Sequence, residues 1–211
     1  MKHVVMKRLA LSLAAAALLS GALTACVPLV VGGAAVAGGS LFATDRRTTG
    51  AQLEDEGIEL RALSRIRSNV GDRVHVNLTS YNRQVLLTGE VPSAQDKQLV
   101  EQIVSRIENV KSVVNELAVM GNSGLRERSS DVLVTGNVKA RLLDARDLHS
   151  NAFKVVTERG TTYLMGRVTQ READRATAVV RGTNGVEKVV RIFEIISEEE
   201  LAGSLSAPTK R

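Results

Sequence analysis

The residue types that most often carry chemistry are thinly spread along this chain of 211 residues. It has one cysteine, Cys26, and three histidines, His3, His75 and His149, which lie far apart in the sequence. A catalytic or metal site would need a nucleophile beside its base, a pair of carboxylates, or Cys and His residues at ligand spacing. The sequence shows none of these patterns, so it predicts a protein that is not an enzyme and that uses no metal or cofactor.

The cysteine ends an amino-terminal segment that is typical of exported proteins. A basic start with three lysine and arginine residues precedes an apolar run over residues 9–22. Residues 23–26, Leu-Thr-Ala-Cys, resemble the lipobox of bacterial lipoproteins, in which the chain is cut before a cysteine whose thiol carries a diacylglycerol. We therefore predict a lipoprotein signal peptide over residues 1–25 and lipidation at Cys26. The alternative is an ordinary buried cysteine, which leaves the basic start and the apolar run unexplained.

The stretch after the cysteine contains no charge as far as residue 43, so its length alone would allow a membrane-spanning helix. Pro28 and two pairs of glycines oppose that alternative, because they break or weaken helices. We interpret residues 26–51 as the lipidated cysteine and a flexible Gly/Ala-rich tether. By the enterobacterial sorting rule an aspartate after the cysteine favours the inner membrane. Val27 stands there instead, so the sequence predicts the outer membrane, facing the periplasm.

The rest of the chain contains one structural unit twice. Residues 76–91 align without gaps with residues 153–168, and residues 110–119 align with residues 186–195. Each copy has a helical pattern, two alternating strands, a second helical pattern and a closing strand. The sequence therefore predicts an α+β fold of two tandem αββαβ domains, each with a three-stranded mixed sheet and two helices on one face.

Apolar residues at helical spacing define the predicted buried face of each helix. The four faces are Ile58, Ala62 and Ile66; Leu99, Ile103 and Ile107; Val134, Val138 and Leu142; and Ala173, Ala176 and Val180. Capping boxes predict that the second helix of each domain starts after Ser93 and Thr169. Gly89 and Gly166 occupy the same place in the two copies, and we interpret them as room for a helix to pack on the sheet.

The repeated segments resemble the BON domain family. The resemblance rests on VLLTGEVPS and VKSVVNELAV in the first copy, and on YLMGRVTQRE and VEKVVRIFEI in the second. A lipobox followed by two such domains is similar to the dual BON-domain outer-membrane lipoproteins of Gram-negative bacteria. The resemblance implies a non-enzymatic protein that binds anionic phospholipid, supports envelope integrity and acts at the division site.

The two domains differ in charge. Without the three basic residues of the signal peptide, the net charge of +5 becomes +2. The first domain, residues 52–119, has 8 Lys/Arg and 10 Asp/Glu, whereas the second, residues 131–196, has 11 and 8. A linker over residues 120–130 joins the domains, and residues 197–211 form a polar tail. Anionic headgroups attract a positive module, so the second domain is the better candidate for lipid contact.

The family resemblance implies that the first helix of the second domain, with its neighbouring loops, makes that contact. We predict Leu133, Asn137, Lys139 and Arg141 as contact residues on this helix, and Arg159 in the strand turn as a further candidate. The alternative for the charged residues is an ordinary solvated helix surface. Aromatic residues make up only 2% of the chain, which argues against a nucleic-acid partner.

A second function remains open on the sequence alone. The two domains could pack together and form a periplasmic protein-interaction module. An exposed helix or sheet edge would then receive an outer-membrane assembly protein or a peptidoglycan-remodelling protein. The salt dependence of binding distinguishes the two functions. Electrostatic attraction to lipid weakens as the ionic strength rises, whereas a packed protein interface should persist.

Overall fold

The computed structural model describes residues 45–121 and 124–206, apart from the side chains of residues 125–127 and 204–206. The predicted signal peptide and Cys26 lie outside the described residues. The helices are α1 (Thr49–Val70), α2 (Ala94–Ser105), α3 (Leu125–Asp144), α4 (Gln170–Arg181) and α5 (Glu198–Ser206), with short 3-10 helices at Gly71–Arg73 and Ser150–Ala152. The strands are β1 (His75–Tyr81), β2 (Gln84–Val91), β3 (Ser112–Asn115), β4 (Ala118–Val119), β5 (Phe153–Glu158), β6 (Thr161–Val168) and β7 (Lys188–Ile195).

The described strands form two mixed sheets, one in each domain. In the first, β1 is antiparallel to β2, and β3 and β4 run parallel to successive parts of β2. In the second, β5 is antiparallel to β6, and β7 is parallel to β6 along its whole length. The α+β fold of two tandem αββαβ domains is therefore confirmed. The closing strand of the first domain is interrupted, whereas that of the second is continuous.

Three helices extend into segments that the sequence pattern assigned to the tether, the linker and the tail. Helix α1 starts at Thr49, where the Thr48 hydroxyl accepts a hydrogen bond from the Ala51 N–H. Helix α3 starts inside the predicted linker 120–130. Helix α5 occupies much of the predicted tail. Its buried residue Leu201 and the acidic residues of its first turn stabilise it, since acidic groups favour a helix N-terminus.

The predicted buried faces are confirmed for α1, α3 and α4. Helix α2 differs, because Leu99 is 37% exposed and the neighbouring Val100 is fully buried. Val100, Val104 and Ile107 follow the spacing of four and three residues that places side chains on one helix face. Leu99 therefore lies on the flank of that face; of the predicted stripe, Ile107 is buried and Ile103 is partly buried.

A buried carboxylate from the first helix of each domain holds the hairpin turn of that domain. Residues 82–83 and 159–160 have positive φ, so their backbone N–H groups point away from the hydrogen bonds that join the two strands of the hairpin. Asp55 accepts the N–H groups of residues 82–83 at 2.8 and 2.7 Å. Asp131 accepts those of residues 159–160 at 2.8 and 3.1 Å. These bonds fix the first helix of each domain over its own hairpin.

The two repeated glycines lie against backbone at the start of the neighbouring strand, and no helix of the domain's helical layer is involved. A Cβ on Gly89, which has a φ of +109°, would lie 2.1 Å from the carbonyl oxygen of His75. A Cβ on Gly166 would lie 2.5 Å from the carbonyl oxygen of Ala152. The prediction that these glycines admit a helix packed on the sheet was wrong, since the close approach is to the backbone at the start of the paired strand, at His75 in β1 and at Ala152 just before β5.

The two sheets pack against each other through the faces that carry no helices. This contact buries Tyr81, Leu86, Tyr163, Met165 and Ile192. It is separate from the two helix-facing cores, one in each domain. Each sheet is consequently buried on both faces.

The glycine contacts give a paired stability test. Gly89→Ala should lower the free energy of unfolding by about 2 kcal/mol or more, because its Cβ meets backbone that cannot move aside. Gly136→Ala, in the exposed interior of α3 where a Cβ meets nothing within 4 Å, should raise it by about 1 kcal/mol. Urea unfolding measures both changes. An unchanged midpoint for Gly89→Ala would show that the strands can separate at little cost.

Candidate functional site

Helix α3 has an apolar surface on both of its faces. Val134, Val138 and Leu142 are buried against the sheet of the second domain. On the opposite face the exposed fractions are 71% for Val132, 69% for Leu133 and 66% for Leu143. The helix therefore carries more apolar residues than its buried face accounts for.

The exposed apolar residues form one continuous strip, which we call the apolar ridge. The ridge consists of Val132, Leu133, Gly136, Ala140 and Leu143, all exposed. Their spacing of three and four residues places them side by side along the helix. Grouped apolar residues at a soluble surface mark interaction sites more often than scattered ones do.

Two cations lie on the borders of the apolar ridge. Lys139 and Arg141 are exposed, and neither makes an ion pair with any residue that the structure describes. Asn137 is exposed beside the ridge, and Asp144 adds one negative charge at the end of the helix. The arrangement is an amphipathic surface with an apolar centre, Lys139 on one border, and Asn137, Arg141 and Asp144 on the other.

The structure brings four of the five predicted contact residues together, on α3. Arg159 lies elsewhere, with its guanidinium donating to the Gly89 carbonyl at 3.1 Å and to the Glu90 carboxylate at 3.0 Å. Glu90 is fully buried and also bonds the His75 ring at 2.9 Å. Arg159 therefore links the two domains, and we do not include it in the candidate site.

Sequence reasoning missed two residues of the apolar ridge. Val132 and Leu143 lie at spacings of four and three residues from Gly136 and Ala140, so the signal was present in the sequence. The stripe of buried residues Val134, Val138 and Leu142 runs along the same helix and gives the stronger apolar pattern.

A groove lies on one side of the ridge, between α3, β5 and the residues at the start of α1. Its volume is about 410 Å³. Lys139 and Leu143 contribute from α3, and Phe153 and Lys154 from β5, while Arg47 closes the side formed by the first domain. The groove therefore contains side chains from both domains.

Hydrogen bonds fix the groove wall that the first domain supplies. The Arg47 guanidinium donates to Asp45 and Asp55, each at 2.8 Å, and lies 4.4 Å above the centre of the Tyr81 ring. Lys154 donates to Glu59 at 3.1 Å and to the Ser80 carbonyl at 3.2 Å. Both cations are held in place by the first domain.

Burial and the nearby Asp45 charge raise the pKa of the Tyr81 phenol to about 12. The side chain is therefore neutral at ordinary pH. Its oxygen accepts the Arg167 N–H at 3.4 Å, which adds a contact between the domains.

A buried ion pair attaches the residues before α1 to the second domain. The Arg46 guanidinium donates to both Glu172 carboxylate oxygens at 2.6 and 2.7 Å, and to the Arg167 carbonyl at 3.0 Å. The side chains are 4% and 1% exposed. Glu172 also completes the predicted capping box with Thr169 at the start of α4. Arg46 therefore fixes the residues before α1 against the start of α4.

Burial by itself would raise the pKa of Glu172. Hydrogen bonds from Arg46 and from the Thr169 backbone, with the charge of Arg46, outweigh that effect and lower the pKa to about 2. The carboxylate is therefore ionised at neutral pH.

The part of the chain that the structure describes offers neither a cluster of metal ligands nor a membrane-spanning helix. No group of three His, Cys, Asp or Glu side chains there could hold a metal ion. No helix there is both long and apolar enough to cross a bilayer.

Comparison with known proteins gives a family match over most of the folded chain. The model of the BON domain matches residues 54–121 and 130–196. The chain is 34% identical over 193 residues to outer membrane lipoprotein DolP of Haemophilus influenzae, covering 90% of this chain and 97% of that protein. It is 28% identical over 154 residues to the 21 kDa hemolysin of Actinobacillus pleuropneumoniae, covering 72% and 79%.

A third relative matches a smaller part. Osmotically-inducible protein Y of Escherichia coli is 27% identical over 117 residues, covering 54% of this chain and 58% of that protein. The first two relatives therefore match across both domains, whereas the third matches about half of the chain.

The buried ion pair predicts a specific acid dependence of stability. Because its folded-state pKa of about 2 lies below the ordinary 4.5, Glu172 stabilises the fold above pH 4.5 and loses that effect as the pH falls toward 2. Glu172→Gln should lower the free energy of unfolding by roughly 3 kcal/mol at pH 7, because Arg46 remains buried without its partner. At pH 3 the difference between wild type and variant should be less than half as large.

Urea unfolding at pH 7, 5 and 3 measures this difference. Glu198→Gln is the matched control, since Glu198 is more than half exposed and pairs with the exposed Arg171. It should change the free energy of unfolding by less than about 0.5 kcal/mol. A constant difference between wild type and Glu172→Gln from pH 7 to pH 3 would contradict the assigned ion pair.

Proposed function

This chain belongs to the BON-domain family as an outer-membrane lipoprotein with two BON domains, and from that premise we propose that α3 binds the surface of anionic phospholipid membranes. The observation that carries the proposal is the apolar ridge with Lys139 and Arg141 on its borders. The proposed contact residues are these two cations, Leu133 and Asn137, together with Val132 and Leu143.

The ridge has the properties of a helix that lies in a membrane interface. Its inner face is anchored on the sheet, so the helix would lie flat and insert only its outer side chains. Burial of a valine or leucine side chain contributes about 1.5–3 kcal/mol. Each basic residue near an anionic surface adds about 1 kcal/mol, and long cationic side chains can reach the headgroups while their stems stay apolar. Three apolar side chains and two cations are therefore sufficient for reversible binding.

The lipid anchor would make this weak contact effective. We propose that Cys26, outside the described residues, carries the lipid that holds the protein at the outer membrane. Anchoring turns the encounter of α3 with the bilayer into an intramolecular event at high effective concentration. Asp45, the first described residue, lines the groove that borders the ridge. This position favours contact of α3 with the membrane that carries the anchor.

In the cell, this contact would support envelope integrity and localisation to the division site. The family resemblance suggests both roles, and membrane binding by α3 gives them a physical basis. Binding to a curved or anionic region of the membrane would concentrate the protein there.

A protein partner is the second candidate function, and one observation favours it. Leu53 and Leu60 on α1 are 70% and 71% exposed, and their spacing of seven residues places them on one face. An envelope protein, such as an outer-membrane assembly or peptidoglycan-remodelling partner, could cover this face. The site lies on the first domain, so it can be separated from the lipid contact by mutation.

Sedimentation with vesicles tests the lipid contact. We expect the chain from residue 26, with Cys26→Ser and no attached lipid, to bind phosphatidylglycerol-containing vesicles and to bind phosphatidylcholine vesicles weakly. Leu133→Ser should weaken binding about tenfold, since it removes roughly 1.4 kcal/mol or more of apolar burial. Leu60→Ser, which removes an equally exposed leucine from the first domain, should leave binding unchanged. Binding should also weaken as salt rises from 50 to 500 mM.

The outcome decides between the two functions. Equal binding by wild type and Leu133→Ser would overturn the assignment to α3. Loss of a salt-resistant complex with a purified envelope protein in Leu60→Ser would support the protein-interaction function.

A further inference from the structure

We infer that the outer edge of β7 pairs with the same edge of a second copy of this chain, so that the three-stranded sheets of two second domains join into one continuous sheet. β7 is the last strand in the order β5–β6–β7, and among the described residues it pairs with β6 alone. A strand at the edge of a sheet presents N–H and C=O groups to which another strand can bond. The inference goes beyond the proposed membrane contact and does not rest on it.

Every second residue of β7 directs its backbone groups away from the sheet. The Lys188 N–H donates to the Gly160 carbonyl at 3.4 Å, and the Ile196 N–H donates to the Val168 carbonyl at 3.0 Å. The even-numbered residues of the strand therefore bond β6. The N–H and C=O groups of the odd-numbered residues from 189 to 195 point outward, and no other backbone or side chain within the described residues bonds them.

The closing strand of the first domain has no comparable edge. It is divided into β3, of four residues, and β4, of two. Between them the Leu117 N–H donates to the Asn115 side chain at 3.2 Å, and the Leu117 carbonyl accepts a bond from Lys97 Nζ at 2.7 Å. β7 instead continues without interruption for eight residues. Of the two closing strands, β7 is therefore the one that can receive another strand along its length.

One antiparallel register matches the apolar residues of β7 with those of its own copy. If Arg191 lies opposite its counterpart, Val189 lies opposite Phe193, and Val190 lies opposite Ile192. Val189 and Phe193 pack on the helix-facing core, whereas Val190 and Ile192 belong to the contact between the two sheets. Apolar side chains would thus meet on both faces of the joined sheet, with about six backbone hydrogen bonds between the two strands.

The charges at the two ends of β7 complement each other in the same register, which places Lys188 opposite Glu194 of the second copy. Lys188 is exposed and makes no ion pair with any described residue. Arg167 pairs with both Glu194 and Glu200, so this group of three side chains has a net negative charge. Lys188 of the second copy would neutralise that charge, and the same contact would form at the other end.

The like charges at the centre of this register have a partner within each copy. Asp174 bonds Arg191 at 3.1 Å, so two cations and two carboxylates would surround the symmetry axis. A shift of the register by two residues in either direction would place Lys188 or Glu194 opposite an apolar residue of β7. Charge and apolar contacts therefore favour one register.

The symmetry of this pairing determines how two copies would meet a membrane. Antiparallel edge strands of one continuous sheet are related by a two-fold axis perpendicular to the sheet. Both helices of the second domain lie on one face of its sheet, so α3 of each copy would lie on the same side. Two apolar ridges would then face one bilayer, and binding of the first would raise the effective concentration of the second.

Charge-swapped variants test the register in the chain from residue 26 with Cys26→Ser. Sedimentation equilibrium should show a reversible monomer–dimer equilibrium as the protein approaches millimolar concentration. Lys188→Glu and Glu194→Lys should each weaken dimerisation about tenfold or more, because each places like charges opposite at both ends. An equimolar mixture of the two variants should restore the dimer, since every end then pairs a glutamate with a lysine.

Lys111→Glu is the matched control for the change in charge. Lys111 is exposed just before the closing strand of the first domain, so this variant should dimerise as the wild type does. Urea midpoints show whether each variant is folded. If repulsion from Arg167 unfolds Glu194→Lys, the comparison of Lys188→Glu with Lys111→Glu replaces the mixture.

Disulfide formation identifies the residues that lie opposite each other. Cys26 is the only cysteine, so Lys188→Cys and Glu194→Cys, each with Cys26→Ser, contain a single thiol. In the proposed register these residues form a non-hydrogen-bonded pair with Cα atoms about 4.5 Å apart, which suits a disulfide. The mixed chains should form the disulfide between residues 188 and 194 about tenfold or more faster than either chain forms one with itself.

Three results would overturn the inference: a monomer at every concentration, equal dimerisation by Lys188→Glu and Lys111→Glu, or equal rates for the mixed and self disulfides. A dimer that is lost in Leu60→Ser and kept in Lys188→Glu would place the contact on α1 instead. Vesicle binding that depends on Leu133 in a monomeric chain would leave the proposed function standing without the dimer. A dimer whose vesicle binding is unchanged by Leu133→Ser would leave the β7 pairing standing without the ridge contact.

Discussion

The contact between the two sheets determines which surfaces of this protein are available for binding. Each sheet has helices on one face and the other domain's sheet on the opposite face, with Tyr81, Leu86, Tyr163, Met165 and Ile192 buried between them. Because apolar burial is the dominant stabilising contribution to folding, the domains are expected to stay together. The sheet faces are thereby excluded as binding surfaces. The outer faces of the helices, the loops and the strand edges remain, and the apolar ridge of α3 is one of them.

Polar contacts then fix the relative orientation of the two domains, which apolar packing alone would leave adjustable. Arg46 with Glu172 and Arg159 with Glu90 join buried groups of different segments through bonds that require one geometry. Buried charges lose hydration, so such pairs contribute more to specificity of arrangement than to net stability. These ion pairs also hold together the two sides of the candidate site. The groove beside α3 has walls from both domains, so an isolated second domain would contain the ridge but would lack the wall that holds Arg47 and Gln52.

Local patterns predicted the elements well and the long-range contacts poorly. Periodicity identified four of the five described helices, the hairpins and three of four buried helix faces, because these depend on neighbours in sequence. It could not identify the role of Asp55, since a carboxylate on α1 becomes structural only when the hairpin at residues 82–83 folds beneath it. Arg159 was assigned to lipid for the same reason. Its partner, Glu90, belongs to the other domain, and nothing near Arg159 in the sequence indicates that contact.

The distribution of ion pairs determines which positive charges of the second domain are available to attract a membrane. Most cations of this domain pair with carboxylates; these are Arg159, Arg167, Arg171, Arg175, Arg191 and Lys154. Five make no such pair among the described residues; Lys139 and Arg141 are on α3 beside the apolar ridge, and Arg146, Arg181 and Lys188 lie elsewhere. A domain charge of +3 spread evenly would attract a membrane in any orientation. Unpaired charges on one helix, next to exposed apolar side chains, instead favour a single orientation in which apolar and electrostatic contributions act together.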